Sequence, residues 1–211
     1  MSRGNASVRV VLALTSDTAL LSFNGVPILI RAYETLALIF PSQKIRVVAT
    51  PKHASTAEAL LEARNANFEL VIPETFEPKV LAQSLESLLG NVQAALIHDA
   101  SRPLTSTEQF DAVLAIFSDE TDAARPAMAF TETLKVLDSD SVIKRTLDRS
   151  SVLRVSTPEL IRVSAIDFTG SDCGWFLPLK KNARIKHIEA SPDSLRINSE
   201  DDRNLMELHT N

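Results

Sequence analysis

The chain has 211 residues, 45% hydrophobic, 5% aromatic and 23% charged, with a formal net charge of −5. That is enough apolar material for one sizeable core of aliphatic side chains. The acidic balance argues against a nucleic-acid or anionic-membrane partner, since both need a broad basic face that displaces counterions. A small phosphorylated ligand asks only for a few local cations. Cys173 is the single cysteine, so neither an internal disulfide nor a thiolate zinc site can form. A reducing, cytoplasmic setting is the expectation.

Met1-Ser2-Arg3-Gly4 is basic, but the apolar run from Val10 to Leu14 is too short for a signal segment or a membrane span. It reads as a first strand over 8–14. Asn24-Gly25 predicts a tight turn between two short extended pieces. From there short apolar runs at 45–50, 68–72, 94–98 and 127–130 alternate with helical patterns at 27–40, 55–64, 79–89 and 106–117. Strands apolar at consecutive positions are buried on both faces, as in a parallel sheet covered by helices. Pro27 suits a first helical position, and Thr105 followed by Glu108 reads as a capping box.

The pattern changes after Phe130. Segments 133–136 and 142–147 alternate polar and apolar around Asp138-Ser139-Asp140, as a hairpin arm leaving the sheet would. Strands are expected at 184–189 and 195–198, then a helix over 199–209 whose acidic start suits its dipole. Without repeats or a dividing linker, 1–211 reads as one α/β domain with an arm at about 131–154.

The polar residues concentrate at His98-Asp99-Ala100-Ser101-Arg102-Pro103, where the buried run 94–97 ends. In open α/β sheets ligands bind outside the carboxyl ends of strands. Asp99 is suited to orient a ribose or hold a divalent cation, and Arg102 to grip a phosphate with its forked donors. The alternative is a structural Asp99–Arg102 pair that caps the strand, with His98 simply packed there.

The run 97–103 resembles the central motif of the 2-C-methyl-D-erythritol 4-phosphate cytidylyltransferases. Other pieces follow in the same order: Leu21-Ser22-Phe23-Asn24-Gly25-Val26-Pro27-Ile28, Glu132-Thr133-Leu134-Lys135, Arg145-Thr146-Leu147-Asp148-Arg149, Thr157-Pro158, and Ser194-Leu195-Arg196-Ile197-Asn198-Ser199-Glu200-Asp201. The resemblance implies a Rossmann-like, mostly parallel sheet of the nucleotide-diphospho-sugar transferase type with a protruding β-arm. It implies transfer of CMP from CTP to methylerythritol phosphate or a similar polyol phosphate, with Mg2+ and release of pyrophosphate. Asp99, Arg102 and Arg196 would be catalytic, with Asp99 also at the metal. Ala13 and Ala100 would lie against the nucleotide, and Arg102, Thr133, Arg149 and Arg196, with Asp172, against the sugar phosphate. Arms pair two subunits in the family, so a homodimer is implied, with Arg149 acting across the interface.

The chain departs from that pattern where the triphosphate would lie. The family's glycine-rich loop, with its Arg and Lys, is replaced by the shorter Thr15-Ser16-Asp17-Thr18-Ala19-Leu20. The segment Glu74-Thr75-Phe76-Glu77-Pro78-Lys79 lacks the family's glycines, Arg and Ser, and Glu159 replaces the Gln after Thr-Pro. Lys79, Lys135, Lys144 and Arg145 are the cations available to substitute, each otherwise a solvated charge. Three readings follow. One is a divergent cytidylyltransferase of the isoprenoid pathway type with impaired or lost activity. Another is a non-catalytic relative that binds a polyol phosphate or pairs through its arm with an active paralogue. The last is the same scaffold turned to another sugar nucleotide.

Overall fold

A computed structural model describes residues 7–170 and 176–210; Asp172 and Cys173 lie outside them. In chain order the strands and helices are β1 (Val8–Leu14), β2 (Ser22–Phe23), β3 (Val26–Pro27), α1 (Ile28–Ile39), β4 (Ile45–Ala49), α2 (Pro51–Glu62), β5 (Phe68–Val71), α3 (Pro78–Leu89), β6 (Ala94–Asp99) and α4 (Thr107–Ile116). They continue with β7 (Ala123–Ala129), β8 (Lys135–Leu137), β9 (Ile143–Thr146), β10 (Leu153–Val155), β11 (Glu159–Arg162), β12 (Ile185–Glu189) and α5 (Glu200–Thr210). A single 3₁₀ turn, Asp17–Leu20, follows β1.

Eight strands make the main sheet. β6, β1, β4 and β5 run parallel as neighbours in that order, and β12 lies parallel to β7. β11 is antiparallel between β6 and β7. The continuous apolar patterns have the expected cause. Along β1, Val10, Leu12 and Leu14 join a core with Leu29, Leu36 and Phe110 on one face. Val11 and Ala13 join Leu81, Leu85 and Leu177 on the other. Asn24 and Gly25 have φ of 46° and 75°, the left-handed pair that a tight hairpin between β2 and β3 requires.

Several local expectations are corrected. Pro27 belongs to β3 and α1 starts after it. α2 begins at Pro51, where a helix-starting proline needs no N–H partner. α4 is capped by Ser106, whose side chain accepts from the Gln109 amide, so Thr105 is not the cap. β7 starts at Ala123, because β12 and β11 pair its polar-interrupted first half. Residues 195–198 form no ladder; the Ile197 amide donates to the Ser101 carbonyl (2.9 Å) and so fixes them against the loop after β6. β8 and β9 form a separate two-stranded sheet, the hairpin expected as an arm.

β11 went unread in the sequence because it carries a buried charge. Glu159 is fully buried and accepts from Arg125 on the neighbouring strand at 3.0 Å. Burial pushes its carboxyl upward, against the pull of Arg125. Removing one partner of such a pair leaves an uncompensated charge. Arg125→Met should therefore lower unfolding free energy by about 3–5 kcal/mol in urea titrations. Arg125→Met with Glu159→Leu should recover most of the loss, and a single variant as stable as wild type would refute the pair's role.

Candidate functional site

β1 and β6 pair so that Ala13 lies opposite Asp99. The chain steps outward from β1 to β4 and β5, then returns across to β6 on β1's other side. A reversal of this kind opens a crevice at the strands' carboxyl ends. Beyond it the Ala100 amide donates to the Ala13 carbonyl at 2.9 Å, and the Arg102 amide to the Asp99 carbonyl at 3.1 Å. The loop after β6 is thereby tied to the end of β1.

Asp99 is 1% exposed. Its Oδ1 accepts from the Thr15 hydroxyl and the Ser101 amide, both at 3.0 Å. Its Oδ2 accepts from Arg196 Nε at 2.8 Å, with Arg102 Nε at 3.9 Å. Arg196 Nη2 also donates to Thr15 Oγ1 (3.0 Å), and Nη1 bonds Asn198. One carboxylate thus gathers β6, the loop after β1 and the segment before α5.

His98 behaves as packed. Its ring meets Phe110 edge-on at 5.0 Å between centroids. Thr157 Oγ1 accepts from the Asp99 amide (3.1 Å) and lies 3.0 Å from His98 Nδ1, while Nε2 lies 3.3 Å from the Arg102 carbonyl. A carbonyl can only accept, so Nε2 carries the proton and Nδ1 accepts from the threonine. Burial lowers the His98 pKa from 6.5 to about 4. The ring is a neutral strut.

Beside Asp99 opens a cleft of about 380 Å³ lined by Arg102, Arg154, Arg196 and Asn198, with Leu195, Leu205 and Met206 as an apolar wall. Arg102 is 8% exposed and donates through Nη1 to the Ser194 carbonyl at 2.5 Å. Its pKa falls to about 10, first from burial and then from Arg196 and Arg154, while Asp99 pulls it upward. Converging guanidiniums suit a tetrahedral anion.

The loop after β1 is different in kind. Ser16 Oγ lies 2.6 Å from Thr18 Oγ1 and 3.0 Å from Ser101 Oγ, and Thr18 donates to the Ile197 carbonyl at 2.8 Å. These hydroxyls are spent on the protein itself. Asp17 points outward to Lys52 (2.5 Å) and His53 (2.6 Å), which hold its carboxyl below the usual range.

Of the residues singled out in the sequence, Ala13, Asp99, Ala100, Arg102 and Arg196 come together. Thr133 and Arg149 do not join them; both are exposed in the segments flanking the β8–β9 hairpin, and Arg149 donates to the Thr131 carbonyl at 2.6 Å. Lys79 is exposed at the start of α3. Asp172 is outside the described residues. A metal held at Asp99 by protein side chains alone does not fit. Both carboxylate oxygens are engaged, one by a guanidinium, and no group of three metal-ligating side chains occurs among the described residues. Sequence reading missed Arg154 and Thr15, because neither stands in a motif with a spacing that marks it.

The sequence model of 2-C-methyl-D-erythritol 4-phosphate cytidylyltransferase matches residues 12–171. The bifunctional enzyme IspD/IspF of Clavibacter michiganensis is 28% identical over 153 residues, 71% of this chain and 37% of its own length. The 2-C-methyl-D-erythritol 4-phosphate cytidylyltransferase of Frankia casuarinae is 29% identical over 144 residues, 68% of this chain and 53% of its own. The chain thus spans roughly a third to a half of these relatives. Among solved structures, a 4-diphosphocytidyl-2C-methyl-D-erythritol synthase superposes with a TM-score of 0.78 at 17% identity, covering 97% of this chain and all of that one. The Thermus thermophilus cytidylyltransferase gives 0.70 at 20% identity, over 97% and 98% of the two chains. Both share the fold.

The strut carries a pH signature. Because the folded pKa of His98 is depressed, its contribution is complete above pH 6.5 and is lost as pH falls towards 4. Integrated over that window the loss is roughly 3 kcal/mol. Urea titrations of wild type should show that decline. His98→Gln should be less stable at pH 7 yet flatter between pH 6.5 and 4, and an NMR midpoint for His98 near 6.5 would overturn the assignment.

Proposed function

Because the chain belongs to the 2-C-methyl-D-erythritol 4-phosphate cytidylyltransferase family, we propose that it is a divergent cytidylyltransferase-like protein. It binds a polyol phosphate in the Arg102–Arg196 cleft and transfers CMP from CTP with strongly impaired activity. One observation carries this reading: guanidiniums line the cleft on one side of Asp99, while in the loop after β1 no Arg or Lys side chain is present and the Ser16 and Thr18 hydroxyls are bonded within the protein. Phosphoryl transfer leaves little covalent work to the protein, so positioning and charge neutralisation decide its rate. Each missing donor to developing charge costs about 10²–10³ in rate. Asp17, ionised at neutral pH, pairs with Lys52 and His53, so the Lys52 ammonium is engaged within the protein rather than left for a polyphosphate. Any magnesium would arrive on the nucleotide's own phosphates, since the described residues hold no site for it.

Calorimetry with methylerythritol phosphate should give saturable binding that weakens about tenfold or more in Arg102→Ala. CTP with magnesium should show no saturation below about 1 mM. Micromolar CTP binding with turnover would overturn the impairment, and absent sugar-phosphate binding would overturn the cleft assignment.

A second reading rests on the arm. Leu137, Val142 and Ile143 are 51%, 59% and 61% exposed around one hairpin, and a hairpin with so much bare apolar surface is poorly stable alone in water. We infer that it docks on another subunit, a second copy of this chain or an active paralogue whose site it helps complete. Sedimentation should show a dimer that Leu137→Lys with Ile143→Lys converts to monomer; a monomeric wild type without a paralogue would leave only the hetero-pair.

A further inference from the structure

We propose that Arg154 is a third phosphate-binding residue of the cleft, one that makes it select a dianionic phosphate monoester over a monoanionic diester. The inference rests on the reading of this cleft as a phosphate site and extends it to a residue that no sequence motif marks.

Arg102, Arg154 and Arg196 reach the cleft from three separate segments: the loop after β6, strand β10 and the stretch before α5. Their surroundings differ in charge. Arg196 is paired with Asp99 at 2.8 Å. Arg102 donates to the Ser194 carbonyl and shares Asp99 at 3.9 Å. Arg154 takes part in no ion pair among the described residues; its Nη2 meets the Met128 sulfur, across the β10–β7 pairing. Asp202, the other carboxylate at the cleft, accepts from the Asn198 amide at 2.9 Å. The cleft thus gathers three guanidiniums and two carboxylates, Asp99 beside it and Asp202 in its lining, a surplus of one positive charge among these groups.

Like charges gathered in this way repel unless a counter-anion joins them. A carboxylate is planar and is satisfied by one forked guanidinium. A phosphate monoester offers three terminal oxygens and up to two charges, which suits forks arriving from three directions. The cleft volume of about 380 Å³ admits a small ester. Leu195, Leu205 and Met206 give its carbon chain an apolar wall. Arg154 is exposed at a sheet edge, so its replacement leaves the core untouched.

The test is calorimetric titration of wild type, Arg154→Ala, Arg154→Gln and Arg102→Ala with erythritol 4-phosphate and with its methyl diester at pH 8. Thermal unfolding verifies that each variant is folded. Wild type should prefer the monoester. Both Arg154 variants should bind the monoester about tenfold more weakly, with a smaller effect on the diester, so that the preference collapses. Arg154→Lys should restore part of it. If Arg102→Ala weakens binding and the Arg154 variants do not, this inference falls and the cleft reading stands. Equal losses for monoester and diester would make Arg154 a merely structural residue and overturn the selectivity. If neither ester binds wild type, both readings fall together.

Discussion

The contact between Asp99 and Arg196 is the one on which the site depends. A carboxylate that is 1% exposed has lost its water, and burying it is costly unless a cation and hydrogen bonds take the water's place. Arg196, Thr15 and the Ser101 amide supply them. Because these partners come from positions 15, 101 and 196, one electrostatic requirement fixes three distant segments at the crevice. The floor of the cleft and the rigidity of the loop after β1 have the same origin.

How much of this was legible follows from the kind of signal each residue carries. The buried strands announced themselves because strands covered on both faces need apolar side chains at every position, as in 94–97. The turn at Asn24-Gly25 was readable because few other residues tolerate two successive positive φ values. β11 was not readable, since Glu159 breaks the apolar pattern and its compensating Arg125 lies on another strand. The 195–198 segment misled for the opposite reason: it has a strand's composition, but hydrogen bonds from Ile197 to Ser101 and from Thr18 to Ile197 take the place of a ladder. Within the site, Asp99, Arg102 and Arg196 were marked by a motif. Arg154 is placed only by three-dimensional pairing.

The chain is acidic overall yet keeps its cations where they converge. A net charge of −5 disfavours indiscriminate anion binding, while a local surplus over a low-dielectric wall still attracts a small anion. The two sides of Asp99 have diverged in this respect. Towards Arg102 the side chains leave donors facing the cleft; towards Thr15 and Ser16 they satisfy one another. Mutual satisfaction of hydroxyls stabilises the loop and removes it from chemistry.

β10 has a double place in the fold. It is the strand by which the chain re-enters the main sheet after the β8–β9 hairpin, and it also carries Arg154. Only three residues long, it has little rigidity with which to isolate one end from the other. A body docked on the hairpin, as proposed above, would pull on the same short strand that an anion would engage through Arg154. Thermodynamic linkage makes such an effect reciprocal: whatever factor association adds to anion affinity, the anion returns to association. Quaternary state and occupancy would then be two readings of a single equilibrium.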